Sequence, residues 1–157
     1  MIGESAYEKY GYFKSKTGMI EIIIENEQLT NLSFVDKSQF INSKDDIVIA
    51  NCLQQLAMYF DKKITKFSVP MGLKGTPFQE LVWSKACAIP YGTTLTYEQL
   101  AINIGHPKAV RAVGTALGKN PIAIIVPCHR VVSKNKNIIN YRYGSDIKMF
   151  LLKHEQL

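Results

Sequence analysis

The sequence predicts an α+β protein in two parts: a small antiparallel sheet with one helix, then a mostly helical domain built on a helix-turn-helix. Three observations predict it. β-Branched and alternating runs fill much of the first 35 residues, helical periodicity with two capping boxes follows residue 75, and all of the net charge sits in the second part. Residues 1–75 hold nine lysines and nine acids, whereas residues 76–157 hold seven lysines and three arginines against four acids, which leaves the whole +6 there. A one-sided basic field is the usual footprint of a phosphate-backbone partner, although solubility alone accounts for charge equally well. A chain of 157 residues is long enough for one ordinary domain or two small ones. The expected division is 1–75 and 76–157, with residues 70–75 as the linker.

Residues 19–25 and 29–35 read as a hairpin around the turn-prone Asn26-Glu27-Gln28, and residues 7–13 as a third strand. Over residues 45–60 the period lengthens, and Ile49, Cys52, Leu53, Leu56, Tyr59 and Phe60 mark one helical face. Cys52 lies on that stripe and is expected to pack. A short strand is expected over residues 64–69. Thr76 can cap a helix, Pro77 suits its first position and Gln79 completes a capping box, which predicts a helix over Pro77–Cys87. Phe78, Leu81, Val82 and Trp83 should face the core, with Cys87 buried at the end; Pro90-Tyr91-Gly92 makes the turn.

A second capping box, Thr96 to Gln99, opens a helix over residues 97–104 that Gly105 stops. His106-Pro107-Lys108 restarts a helix to Leu117, with Gly118 after it. Two short helices around a tight turn make a helix-turn-helix. The second carries small side chains and one long cation, Arg111, and can approach a nucleic-acid groove or, equally, another helix. Residues 133–137 read as an exposed turn, and residues 138–143 as an aromatic segment returning toward the cysteine. A last helix starts near Ser145-Asp146, turns Ile147, Phe150 and Leu151 inward and ends at His154-Glu155.

No apolar run approaches a membrane span, and Met1-Ile2-Gly3-Glu4 is not a basic start to an apolar leader, so a cytoplasmic protein is expected. Cys52, Cys87 and Cys128 are widely spaced without a CxxC pair, which supports neither a disulfide framework nor a zinc knuckle.

The chemistry concentrates at Val126-Pro127-Cys128-His129-Arg130-Val131, after the apolar run of residues 122–125. A thiolate is a far better nucleophile than a thiol, and cationic or imidazole neighbours lower a cysteine's pKa. Cys128 is therefore the candidate nucleophile, with His129 as base. Three readings stay open on these residues alone. Metal binding lacks ligand spacing. A cysteine hydrolase would use Glu155 or Asn120 to orient the histidine. A thiol that attacks a DNA base would need the base flipped out of the duplex, with Arg111 to fill the vacated stack.

Residues 75–155 resemble the catalytic domain of the O6-alkylguanine-DNA alkyltransferases, the methylated-DNA–protein-cysteine methyltransferases. The resemblance rests on Gly75-Thr76-Pro77-Phe78-Gln79 with Val82-Trp83, on Ile89-Pro90-Tyr91-Gly92 and on Thr96-Tyr97. Pro107-Lys108-Ala109-Val110-Arg111-Ala112-Val113-Gly114, Asn120-Pro121, Pro127-Cys128-His129-Arg130-Val131, Lys148 and Leu151-Leu152-Lys153-His154-Glu155 complete it in the family's order. The first 75 residues resemble the family's variable N-terminal domain more loosely, a ribonuclease-H-like sheet with a helix; the second part is then a winged-helix or helix-turn-helix domain.

The resemblance implies roles. Cys128 accepts the alkyl group, His129 (through a water) and Glu155 draw off the thiol proton, and Asn120 braces the turn before the active-site loop. Arg111 replaces the flipped base and Tyr97 contacts the guanine or its phosphate, while Lys108, Ala109, Ala112, Thr115 and Arg130 complete the DNA-binding set. Val131, Tyr141, Arg142 and Tyr143 form the lesion pocket. The implied partner is double-stranded DNA carrying O6-alkylguanine, bound by a monomer through the minor groove, with O4-alkylthymine as a second substrate. Transfer would be irreversible and stoichiometric, with no cofactor and no metal, since the zinc ligands of some relatives are absent. The alternative is a non-enzymatic sensor of alkylated DNA; such relatives lack the reactive cysteine that this chain keeps. One departure stands out: Tyr141-Arg142-Tyr143-Gly144 replaces the usual Tyr-Ser-Gly-Gly, and Tyr143 in place of glycine predicts a narrower pocket that favours methyl over bulky lesions.

Overall fold

The computed structural model describes residues 8–135 and 140–156, in a chain that divides into two compact units, Met1–Leu73 and Lys74–Leu157. In the first unit, β1 (Glu8–Ser15), β2 (Gly18–Glu25) and β3 (Gln28–Val35) form an antiparallel sheet in that order. Period-two alternation buries Ile20, Ile22 and Ile24 on one face of β2. Helix α1 (Ile47–Phe60), capped by the Asp46 carboxylate on the Val48 and Ile49 amides, buries Ile49, Cys52, Leu56 and Tyr59. Gly11 permits the close approach of sheet and helix, because a Cβ there would lie 2.8 Å from Ile49 Cγ2. The third strand expected over residues 7–13 is present from Glu8, and Tyr7 lies outside the described residues.

The strand expected over residues 64–69 does not form. Backbone pairing starts beyond it: Met71 bridges Leu29, whose N–H donates to Pro70 O at 2.8 Å and whose carbonyl accepts from Gly72 N–H at 2.9 Å. The segment is held by side chains instead, with Phe67 5.5 Å from the Tyr59 ring and Val69 buried.

In the second unit α2 (Pro77–Cys87) has the expected capping box, and its Trp83 indole donates to Ala116 O at 2.8 Å, tying it to the helix-turn-helix. Cys87 is exposed rather than buried: the inward stripe is Val82, Trp83 and Ala86, and the next residue rotates about 100° off it. The short strand β4 (Leu95–Thr96) leads into α3 (Tyr97–Asn103), and α4 (Val110–Gly118) follows. Helix α4 starts later than expected, because His106–Ala109 is a turn closed by Ala109 N–H on His106 O at 2.9 Å.

The apolar run 122–125 is a turn and not a strand; Ile124 takes φ 71°, and Val126 N–H reaches back to Ile122 O at 3.1 Å. Cys128–Arg130 is one turn of 3₁₀ helix, and β5 (Val131–Val132) then pairs in parallel with β4, a contact the sequence pattern did not announce. Helix α5 (Ser145–His154) buries Lys148, Leu151 and Leu152, with Ile147 and Phe150 only half-buried. Ile138 and Ile139 of the expected aromatic return lie outside the described residues. Among the described residues no helix is long and apolar enough to cross a membrane.

Candidate active site

Cys128 is buried at the head of the 3₁₀ turn, and Asn120 organises its surroundings. The Asn120 amide nitrogen donates to Val126 O at 2.8 Å and to the Cys128 sulfur at 3.2 Å, while its oxygen accepts from Ile122 N–H at 2.9 Å. One side chain thus braces the turn and touches the thiol directly. Burial pushes the Cys128 thiol up, and the Asn120 hydrogen bond and the Lys148 and Arg142 charges offset this only in part. The resting sulfur is therefore a thiol, whose proton must leave before it attacks.

His129 is fully buried, with Nε2 2.8 Å from Glu155 Oε2. Burial lowers its pKa despite the pull of Glu155, so the imidazole is neutral. A carboxylate only accepts, which assigns the proton to Nε2 and leaves the lone pair on Nδ1. Nδ1 is buried and has no hydrogen-bond partner among the described residues. Cys128 and His129 are consecutive in one 3₁₀ turn, and among the described residues no direct hydrogen bond joins their side chains.

Arg130 is 7% exposed and fully engaged. Its Nε donates to Glu155 Oε1 at 2.7 Å, Nη2 to Oε2 at 3.0 Å and Nη1 to Ile89 O at 2.8 Å, and its guanidinium lies 5.6 Å from the Tyr91 ring centre. Named in the DNA-binding set, it is buried here and holds Glu155. Gly92, at φ 80°, lets the turn pass Glu155, since a Cβ would sit 3.1 Å from that residue's carbonyl.

Lys148 is the site residue that the sequence reading left without a role. It is 1% exposed; its ammonium donates to Val131 O at 2.6 Å and Asn140 O at 3.0 Å and lies 5.7 Å from the centre of the Tyr97 ring. Burial brings its pKa down to about 8. The available signal was its position three and four residues before Leu151 and Leu152, on the inward stripe of α5.

The sulfur lines a cavity of about 110 Å³ with Tyr97, Leu117, Asn140, Tyr141, Arg142 and the glycines 114 and 118. Tyr97, Gly114 and Asn140 also line an outer groove of about 430 Å³, together with Val110, Arg111 and Thr115 of α4. Burial, and then Cys128 beside it, pushes the Tyr141 phenol well above its ordinary range. Two expected pocket residues stand behind the wall instead. Val131 is fully buried in β5, and Tyr143 backs the loop, its ring 5.7 Å from Tyr141 and 5.4 Å from the Arg142 guanidinium. Arg142 itself donates from Nη1 to Asn120 O at 3.2 Å. Arg111, Ala112 and Thr115 form the exposed face of α4, Lys108 is exposed in the preceding turn and Ala109 is half-buried. Among the described residues no three His, Cys, Asp or Glu side chains are grouped to hold a metal.

Fold and site define a class: a DNA-binding helix-turn-helix domain that keeps a buried thiol at the inner end of its groove. The family model for the 6-O-methylguanine DNA methyltransferase DNA-binding domain matches residues 77–157, and that for the ribonuclease-like domain of the same proteins matches residues 9–73. The chain belongs to the 6-O-methylguanine DNA methyltransferase family. It is 40% identical over 152 residues to the methylated-DNA–protein-cysteine methyltransferase of Methanosarcina barkeri, covering 94% of this chain and 96% of that protein. The inducible enzyme of the same name from Bacillus subtilis is 36% identical over 155 residues, covering 96% and 87%. Among solved structures, Mycobacterium tuberculosis O6-methylguanine methyltransferase aligns with a TM-score of 0.84 at 37% identity over 95% of this chain and 93% of that one. The structure of M. tuberculosis OGT in complex with DNA aligns with a TM-score of 0.87 at 37% identity over 94% of this chain and 92% of that one.

Proposed function

We propose that this chain repairs DNA by direct reversal, moving an alkyl group from O6 of a flipped-out guanine to the Cys128 sulfur, irreversibly and once per molecule. The observation that carries this reading is the cavity: the sulfur forms part of its wall, and it continues into a groove along the helix that bears Arg111. A base in a duplex is out of reach of a buried sulfur, so the nucleotide must leave the stack. Arg111 fills the gap, and the small exposed residues Ala112 and Thr115 let α4 enter the minor groove, where readout is degenerate and sequence preference weak. Lys108 and Ala109 border that face, and Tyr97, shared by cavity and groove, meets the guanine on its way in.

The reaction is one displacement. His129 Nδ1 takes the thiol proton through a bridging water, and Glu155, held by Arg130, stabilises the imidazolium that forms. The sulfur attacks the alkyl carbon, the carbon–O6 bond breaks with its electron pair going to guanine, and guanine takes up a proton. The thioether is a poor leaving group, so the protein is spent. No cofactor enters. The same chemistry extends to O4-alkylthymine. The protein acts as a monomer in the reducing cytoplasm, where its free cysteines stay reduced. Tyr143, by backing Arg142 and Tyr141, narrows the pocket toward methyl lesions.

The competing reading is a sensor that binds alkylated DNA without reacting; a thiol set against a base, its carboxylate and a cavity disfavours it. Titrating limiting protein with excess O6-methylguanine duplex separates the possibilities. Methyl loss that plateaus at one per protein supports transfer, continued turnover indicates a hydrolase, and binding without methyl loss indicates a sensor.

A further inference from the structure

We propose that Arg142 adapts the thiol cavity to alkyl groups bearing a carboxylate, with O6-carboxymethylguanine as the simplest substrate. This rests on the transfer reading above and extends it to a class of lesion. Two cations act on the sulfur, Lys148 and Arg142, and a third, Arg130, lies two residues along the chain; two of the three are committed. Arg130 is spent on Glu155 and Ile89, and Lys148 on the carbonyls of Val131 and Asn140. Arg142 lies on the cavity wall with Cys128 and makes a single hydrogen bond among the described residues, from Nη1 to Asn120 O at 3.2 Å. The Tyr143 ring, 5.4 Å from the guanidinium, supports it from behind. A guanidinium so held presents further N–H donors, in a fork that matches a carboxylate.

A methyl group makes no use of that charge. A carboxymethyl group does, twice. Its carboxylate needs a partner when it leaves bulk water for a small, partly enclosed cavity, and Arg142 meets it at the exposed edge of the wall. It also lies one bond from the carbon that the sulfur attacks, so nucleophile and carboxylate bring two negative charges together unless a cation stands between them. The step balances as for methyl transfer: a sulfur–CH2 bond forms, the CH2–O6 bond breaks with its pair going to guanine, the thiol proton leaves through His129, and Cys128 ends as S-carboxymethylcysteine.

The test compares single-turnover transfer from duplexes bearing O6-carboxymethylguanine, the neutral same-sized O6-carbamoylmethylguanine, and O6-methylguanine, for wild type, Arg142→Gln and Arg142→Lys. The ratio of carboxymethyl to carbamoylmethyl rates is expected to fall at least about tenfold in Arg142→Gln, the scale of one charge-assisted hydrogen bond, and to recover in part in Arg142→Lys. A ratio that is the same in wild type and Arg142→Gln overturns the proposal, whatever the variant does to absolute rates. Absence of transfer from O6-methylguanine by the wild type would instead overturn the repair function itself, and the proposal with it.

Discussion

Arg130 grips Glu155 at two points, Nε on Oε1 at 2.7 Å and Nη2 on Oε2 at 3.0 Å, so the carboxylate that orients His129 is itself immobilised. All three side chains are buried. Removing one partner leaves a charge without its counter-ion in a medium that penalises it. Arg130→Met is expected to lower stability by about 3–5 kcal/mol, read as the shift in a urea midpoint at constant slope. Arg130→Lys keeps the charge and loses the fork, and should fall between the two. A variant as stable as wild type would show that the clamp does not hold the site.

Acid should slow transfer through His129. Its pKa lies below 6.5, so the neutral base persists to slightly acid pH and is lost only below that. Stability moves the same way: the unfolded chain binds this proton first as pH falls, so the histidine's contribution disappears as pH drops through the folded value. Single-turnover rates between pH 5 and 8 check it, and a rate that rises on acidification contradicts it.

Lys148 has the same sign at higher pH. Its folded pKa of about 8 lies under the ordinary 10.5, so above pH 8 the unfolded chain holds the extra proton and folding gains. The stability of wild type relative to Lys148→Met should therefore rise between pH 8 and 10.5. A flat difference would mean that the buried ammonium bears no penalty.

Arg111 lies on the exposed face of α4, away from the thiol chemistry. Arg111→Ala should slow transfer from duplex DNA by about 10- to 100-fold, because opening a stacked pair costs a few kcal/mol. Transfer from the free base O6-methylguanine should change little. An equal loss on both substrates would place Arg111 in the chemistry and not in base flipping.

Tyr143 backs Arg142 and Tyr141 without forming the cavity wall. Tyr143→Gly should release that wall and raise the rate with O6-benzylguanine relative to O6-methylguanine. Equal efficiency of the wild type on both lesions would remove the case for a narrow pocket.

Local chemistry made much of this legible in the sequence. The capping boxes at Thr76 and Thr96 start their helices where the residues say, because each cap satisfies amides within four residues of itself. Cys128, His129, Asn120 and Glu155 were named from motif position, and the structure groups them. What escaped was decided by distant partners. The apolar run 122–125 is the exception: it turns because the nearby Asn120 side chain bonds both Ile122 N–H and Val126 O. Arg130 reads as a surface cation until Glu155, 25 residues away, claims it. The inward stripe of α5 carries Lys148, yet no local pattern reports its partners, which are carbonyls of two other segments. The thiol's resting protonation depends on burial, which adjacent cations in the sequence do not report.

The most direct measurement is the mass of the Cys128 peptide after incubation with duplex DNA carrying a single O6-methylguanine. One added methyl on Cys128, with Cys52 and Cys87 unmodified and no further gain with excess DNA, is the predicted result. Repaired DNA with an unmodified Cys128, or a methyl on either other cysteine, would contradict it.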